Sequence, residues 1–100
     1  MSVKLPFFSI SRHIADAPAP IECPGASCHA LAFTTLIDAG SYLQVEHLPD
    51  IEVNLIYRKS LAQYLDGSEQ AGLLGVGFDP KPDGSVTPFS IAELRTMFAA

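Results

Sequence analysis

Charge is scarce in this chain. Only 17% of its 100 residues are Asp, Glu, Lys or Arg, against about a quarter in an ordinary soluble domain. Tryptophan is absent, and cysteine occurs twice. Two thiols cannot make the dense disulfide framework on which very small secreted folds depend. At 100 residues the chain has enough apolar material to fold around a core without disulfide or metal. No apolar run approaches the roughly 18–20 residues needed to span a bilayer. The opening Met-Ser-Val-Lys-Leu-Pro-Phe-Phe is broken by Pro6 and Ser9 before any long apolar stretch develops. It does not read as a secretory leader, and the expected location is cytoplasmic.

Bases are few as well. Six of them (Lys4, Arg12, Arg58, Lys59, Lys81 and Arg95) face eleven acids, a net charge of −5. Sequence-independent nucleic-acid binding needs clustered Lys and Arg to displace counterions. Only Arg58 and Lys59 are adjacent, so no direct nucleic-acid partner is expected, and no membrane partner either. The acids are too dispersed for a nucleic-acid mimic.

What is present is apolar: 48% of the chain. Residues 3–12 read as a strand, with Pro6 placing it at an edge or bending it. The Pro/Ala-rich stretch 15–25 reads as an extended loop. Ser27 is a plausible N-cap and Gly40 a plausible stop, which predicts a helix over 28–39. Residues 41–47 read as a strand, followed by a turn at Leu48-Pro49-Asp50. Residues 51–58 alternate at Ile51, Val53, Leu55 and Tyr57, a strand pattern. A single helix over 51–65, capped by Asp50, competes with it. Alternation and β-branched residues favour a strand and then a short helix, 61–65, capped by Ser60 and ended by Gly67.

Leu73, Leu74, Val76 and Phe78 suggest a further strand. Asp79-Pro-Lys-Pro-Asp-Gly84 is turn chemistry, and 85–89 returns as a second strand, making a hairpin. Ser90 and Glu93 form the capping-box pattern of a last helix, with Ile91, Leu94, Met97 and Phe98 as its apolar stripe. The expected fold is a single α+β domain. It has an antiparallel sheet of four or five strands, with two or three helices packed against it.

Four clusters invite chemistry. Cys23 and Cys28 with His29 resemble a loosened haem-attachment motif, which would draw a second axial ligand from His13, His47 or Met97. They also resemble half of a zinc site, with His13 or His47 as a fourth ligand. Cys28 near a helix start would have a stabilised thiolate, but adjacent helical residues point about 100° apart, so His29 is a poor base for it and another histidine would have to come from the fold. One short cluster is an incomplete site, and no metal or other cofactor is expected.

The glycine run Gly72, Gly75, Gly77 lacks the following helix that a phosphate loop requires. Asp79, Asp83 and Gly84 echo a calcium loop, but Lys81 and Ser90 stand where oxygen ligands belong. Glu46, Asp50 and Glu52 read as an acidic, solvated turn.

These readings leave a non-enzymatic expectation: a protein–protein interaction module, or a small accessory subunit of a larger assembly, with a protein partner or a second copy of itself. Virion components and small phage or bacterial inhibitors share this size and composition. The candidate interface is Leu5, Phe7, Phe8 and Ile10, because adjacent phenylalanines on a strand face opposite sides. The alternative is a small metal- or haem-binding protein, or a cysteine-dependent enzyme, using Cys23, Cys28 and His29.

Overall fold

Residues Ala30–Phe33 are all buried in a row. Such a run has two explanations, a buried helix or a strand covered on both faces. The computed structural model, which describes residues 3–14, 17–46 and 51–98, shows the second. Strand β4 (Ala26–Phe33) occupies the middle of the sheet, where a helix was expected over 28–39.

The other strands are β1 (Phe7–Ile14), β2 (Ala17–Pro20), β3 (Glu22–Cys23), β5 (Ile51–Ile56), β6 (Gly75–Phe78) and β7 (Thr87–Ser90). Three helices complete the fold: α1 (Leu36–Glu46), α2 (Arg58–Gln70) and α3 (Ile91–Met97).

The pairing corrects the expectation of a four- or five-stranded antiparallel sheet. Seven segments pair, of which β3 supplies two residues, and β4 runs parallel to β6. Phe8 pairs with Phe33 of β4 and with Leu55 of β5. A strand has two edges, so β4 and β5 flank β1 on opposite sides. Beyond Ser9, β2 replaces β4 along β1, from Ser11 opposite Pro20 to Ile14 opposite Ala17. The chain leaves β1 after Pro20 and joins β4, where Ile21 O accepts from Leu31 N at 2.8 Å. The Pro/Ala segment expected to be a loop thus fills the fork between β1 and β4. β5 and β7 lie at the two ends of the sheet, each with one strand partner among the described residues.

Alternation sorts the side chains to two faces. On one, Phe7, Ala30, Ala32, Ile56, Val76 and Phe78 pack under Leu61 and Leu65 of α2 and Ile91 and Leu94 of α3. On the other, Ile10, Leu31 and Phe33 pack with Ala39 of α1, joined by Phe8, Tyr42 and Leu43. The Phe7 and Phe78 rings meet edge to face at 5.0 Å, a favoured aromatic geometry.

α1 covers 36–46, partly where a strand was expected over 41–47. Thr35 begins it, its hydroxyl accepting from Asp38 N at 3.2 Å. Ala39, Tyr42 and Leu43 are spaced three and four apart and share its inward face, and Gly40 lies in its interior. α2 begins one turn before the expected 61–65 and runs through Gly67. Ser60 is not its cap; the Ser60 hydroxyl reaches back to accept from Tyr57 N at 3.2 Å.

The hairpin and the last helix match their sequence signals. Lys81 O accepts from Gly84 N at 2.9 Å, and Gly84 has φ +89°. The Asp83 carboxylate accepts from the Ser85 hydroxyl and amide. Those two bonds, the hydroxyl first, hold it below the usual carboxylate range. Ser90 Oγ accepts from Glu93 N, and Glu93 Oε1 accepts from Ser90 N, each at 3.0 Å. Of the expected stripe, Ile91 and Leu94 are buried, whereas Met97 is exposed.

Candidate functional site

The cysteine cluster does not assemble. Cys23 is buried on β3 and Cys28 is exposed on β4, both as free thiols. Burial pushes the Cys23 thiol up to about 11, away from the depressed range of reactive thiolates. Its sulfur occupies space left by Gly77, where a Cβ would come within 2.8 Å of it. Cys28 sits in a strand, not at a helix start, with φ +62°. The His29 ring nitrogen Nδ1 lies 2.9 Å from the Ser27 carbonyl oxygen. His47 and the side chain of His13 fall outside what is described. Among the described residues, no group of three or more His, Cys, Asp or Glu is placed to hold a metal ion.

The glycine run is explained by packing. Gly75 lies on β6 opposite Ser90, and any Cβ there would strike the Phe89 carbonyl oxygen. The Asp79 carboxylate is engaged within the fold, accepting from Thr34 N at 2.9 Å and Thr34 Oγ1 at 2.7 Å. Of the acidic turn, Asp50 and the Glu46 side chain lie outside the described residues, and Glu52 is on β5.

The four candidate interface residues separate. Phe7 and Ile10 are buried, on opposite faces, and Leu5 and Phe8 are half-buried. β1 is not an edge strand as expected, because it has partners along both sides. Pro6 precedes it, after a cis Leu5–Pro6 bond.

Two features were not singled out from sequence. The first is a groove of about 800 Å³ between α2 and the β1–β5 pair. Its floor is polar where the rest of that sheet face is apolar. Ser9 and Ser11 are buried there, and Asn54 Nδ2 donates to Ser11 Oγ. Lys59, Gln63, Asp66 and Gln70 line it from α2. Tyr64 also lines it; its ring packs edge-on to Phe7 at 5.8 Å, and its buried hydroxyl lies near the Ser68 side chain but makes no well-formed hydrogen bond among the described residues. Burial holds that phenol well above its usual ionisation range. The sequence signal was the serines at 9 and 11, alternating with Phe8 and Ile10.

The second feature is the outer edge of β5. Exposed edges are usually guarded by shortness, proline, lysine or a bulge. β7 is four residues long with Pro88 inside it, and β2 carries Pro18 and Pro20. β5 has none of these guards: it is Ile-Glu-Val-Asn-Leu-Ile, in unbroken register with β1 from Ile51 to Ile56. Leu55 on it is 50% exposed, and Tyr57 just beyond it is 48% exposed.

No family model matches the chain, and neither a curated protein nor a solved structure is significantly similar to it. No helix among the described residues is long and apolar enough to cross a membrane.

Proposed function

We propose that this chain is a protein-binding module that accepts a partner's extended segment along β5. One observation carries the reading. β5 is a six-residue end strand without proline, lysine or bulge, while the opposite end of the sheet is short and interrupted by Pro88. An edge strand presents alternate backbone N–H and C=O groups outward, and strand addition satisfies them. Main-chain bonds would supply affinity, and pockets beside the edge would supply selectivity. The half-exposed Leu55 lies on one face of that edge and the polar groove on the other. The low charge content fits a surface that is covered in use.

Amide hydrogen exchange on the dilute, isolated chain tests this. Alternate amides of Ile51–Ile56 should exchange quickly, and those bonded to β1 slowly. A partner that adds a strand should slow the fast set. Uniformly slow exchange along β5 in the dilute chain would overturn the reading.

A further inference from the structure

We infer that the segment β5 accepts is β5 of a second copy, antiparallel, with Val53 opposite Val53. The inference rests on strand addition at β5 and names its partner.

The argument is one of register. In an antiparallel pair, residues directly opposite share a face of the sheet. On β5, Ile51 and Val53 pack toward the α1 side, and alternation puts Leu55 with them. Asn54 faces the polar groove floor, bonded to Ser11, and Glu52 shares its side. A two-fold axis perpendicular to the sheet keeps each face on its own side in both copies. Only registers that match the parity of residue numbers then join apolar to apolar, because a one-residue slip reverses every side chain.

Three such registers are centred on the strand. Centring on Glu52 opposes two carboxylates. Centring on Asn54 places Glu52 against Ile56. Centring on Val53 opposes Val53 to Val53 and Ile51 to Leu55 twice, all on the apolar side. On the polar side it opposes Glu52 to Asn54 twice, a carboxylate acceptor against an amide donor. Like charges do not meet, and no polar group faces an apolar one. The strand is its own complement over Ile51–Leu55. The result would be one sheet continuous through both copies, with α1 of each on the same face. This is an isologous interface, the kind a two-fold dimer requires.

Disulfide trapping reads the register directly. In a Cys28→Ser background, Val53→Cys places two thiols about 4.5–5.5 Å apart at Cα, within disulfide reach. Leu55→Cys places its pair four positions apart along the strand, about 13 Å at 3.3 Å per residue, beyond reach. Under mild oxidation Val53→Cys should become mainly a covalent dimer, and Leu55→Cys alone should remain unlinked. An equal mixture of Ile51→Cys and Leu55→Cys chains should give the mixed dimer. The mixed pair decides the matter if Val53→Cys folds poorly. Sedimentation of the wild type should show a monomer–dimer equilibrium, with the fast β5 amides slowing as concentration rises.

Equal trapping at 53 and 55, or a wild type that stays monomeric at every concentration, overturns the second copy as partner. Fast β5 exchange in that monomer would leave strand acceptance standing. Slow β5 exchange in it would remove both.

Discussion

Asp79 and Thr34 are joined twice: one carboxylate oxygen accepts from the Thr34 amide at 2.9 Å, the other from its hydroxyl at 2.7 Å. The pair closes the ends of the parallel strands β4 and β6. Asp79 N also donates to Ala32 O at 3.1 Å. Asp79 adopts φ +54°, a region that Asp and Asn tolerate better than other side chains. The next residue, Thr35, caps α1, so the clamp sets where the chain turns from strand into helix.

Asp79→Ala should therefore cost about 2–3 kcal/mol, from lost hydrogen bonds to a charged acceptor and a strained φ. Asp79→Asn should cost less, since it tolerates the same φ and keeps one acceptor. Denaturant unfolding measures both. Equal stability of Asp79→Ala and wild type would show that the clamp adds nothing.

The β6–β7 hairpin separates two roles of glycine. Gly84 has open space around its Cβ position but a φ of +89°, so Gly84→Val should cost about 1 kcal/mol or more, through the backbone alone. Gly75 has no left-handed φ, yet a Cβ there would collide with the β7 backbone. Gly75→Ala, though a smaller change, should lose more stability, about 1–3 kcal/mol, and should loosen β7. Finding Gly84→Val the more damaging would contradict this assignment.

Cys23 predicts an alkaline limb to stability. Its thiol ionises near 9.0 when unfolded and near 11 when buried. A raised folded value means the contribution is fully present below pH 9 and declines as pH rises from 9 toward 11. Cys23→Ala should flatten that part of a melting-temperature profile. Under native conditions a thiol reagent should modify Cys28 quickly and Cys23 only as the chain opens. Two equally fast thiols would disprove the burial. Chelator should leave the melting temperature unchanged; a large drop would point to a structural metal.

The two aromatic rings that meet beneath α2 should respond differently. Phe7 is wholly buried, and Phe7→Ala should cost about 3–5 kcal/mol. The Tyr64 hydroxyl is buried with no well-formed hydrogen bond among the described residues, and such a group destabilises. Tyr64→Phe should leave stability equal or higher in chemical denaturation. A loss of 1 kcal/mol or more would show that the hydroxyl is satisfied in solution.

Local chemistry determined part of this fold from sequence alone. The Ser90–Glu93 box, the Asp83-Gly84 turn and the alternation of Ile51, Val53 and Leu55 each act through neighbours two or three residues away. Their signals survive in one dimension because no distant contact is needed to produce them. The side of β5 that has no strand partner among the described residues shows the limit. The strand pattern of β5 was legible, but which side of it is paired depends on β1, whose residues lie 39 to 49 positions earlier in the chain.

Tertiary structure alone decided the rest, and burial on two faces is the physical reason. Ala30–Phe33 feeds both sides of a central strand, which erases the polar alternation that marks a strand. The chemistry at Ser27 and Gly40 then mimicked helix ends around it. Pro18 and Pro20 suggested a loop, but β2 needs backbone bonds along one side only, so proline does not forbid it. Cys23 and Cys28 are five positions apart in sequence, and the bulged β3–β4 pairing puts one in the core and the other in solvent. No spacing rule foresees that separation, because it depends on Gly77, more than fifty residues later, leaving room for a sulfur atom.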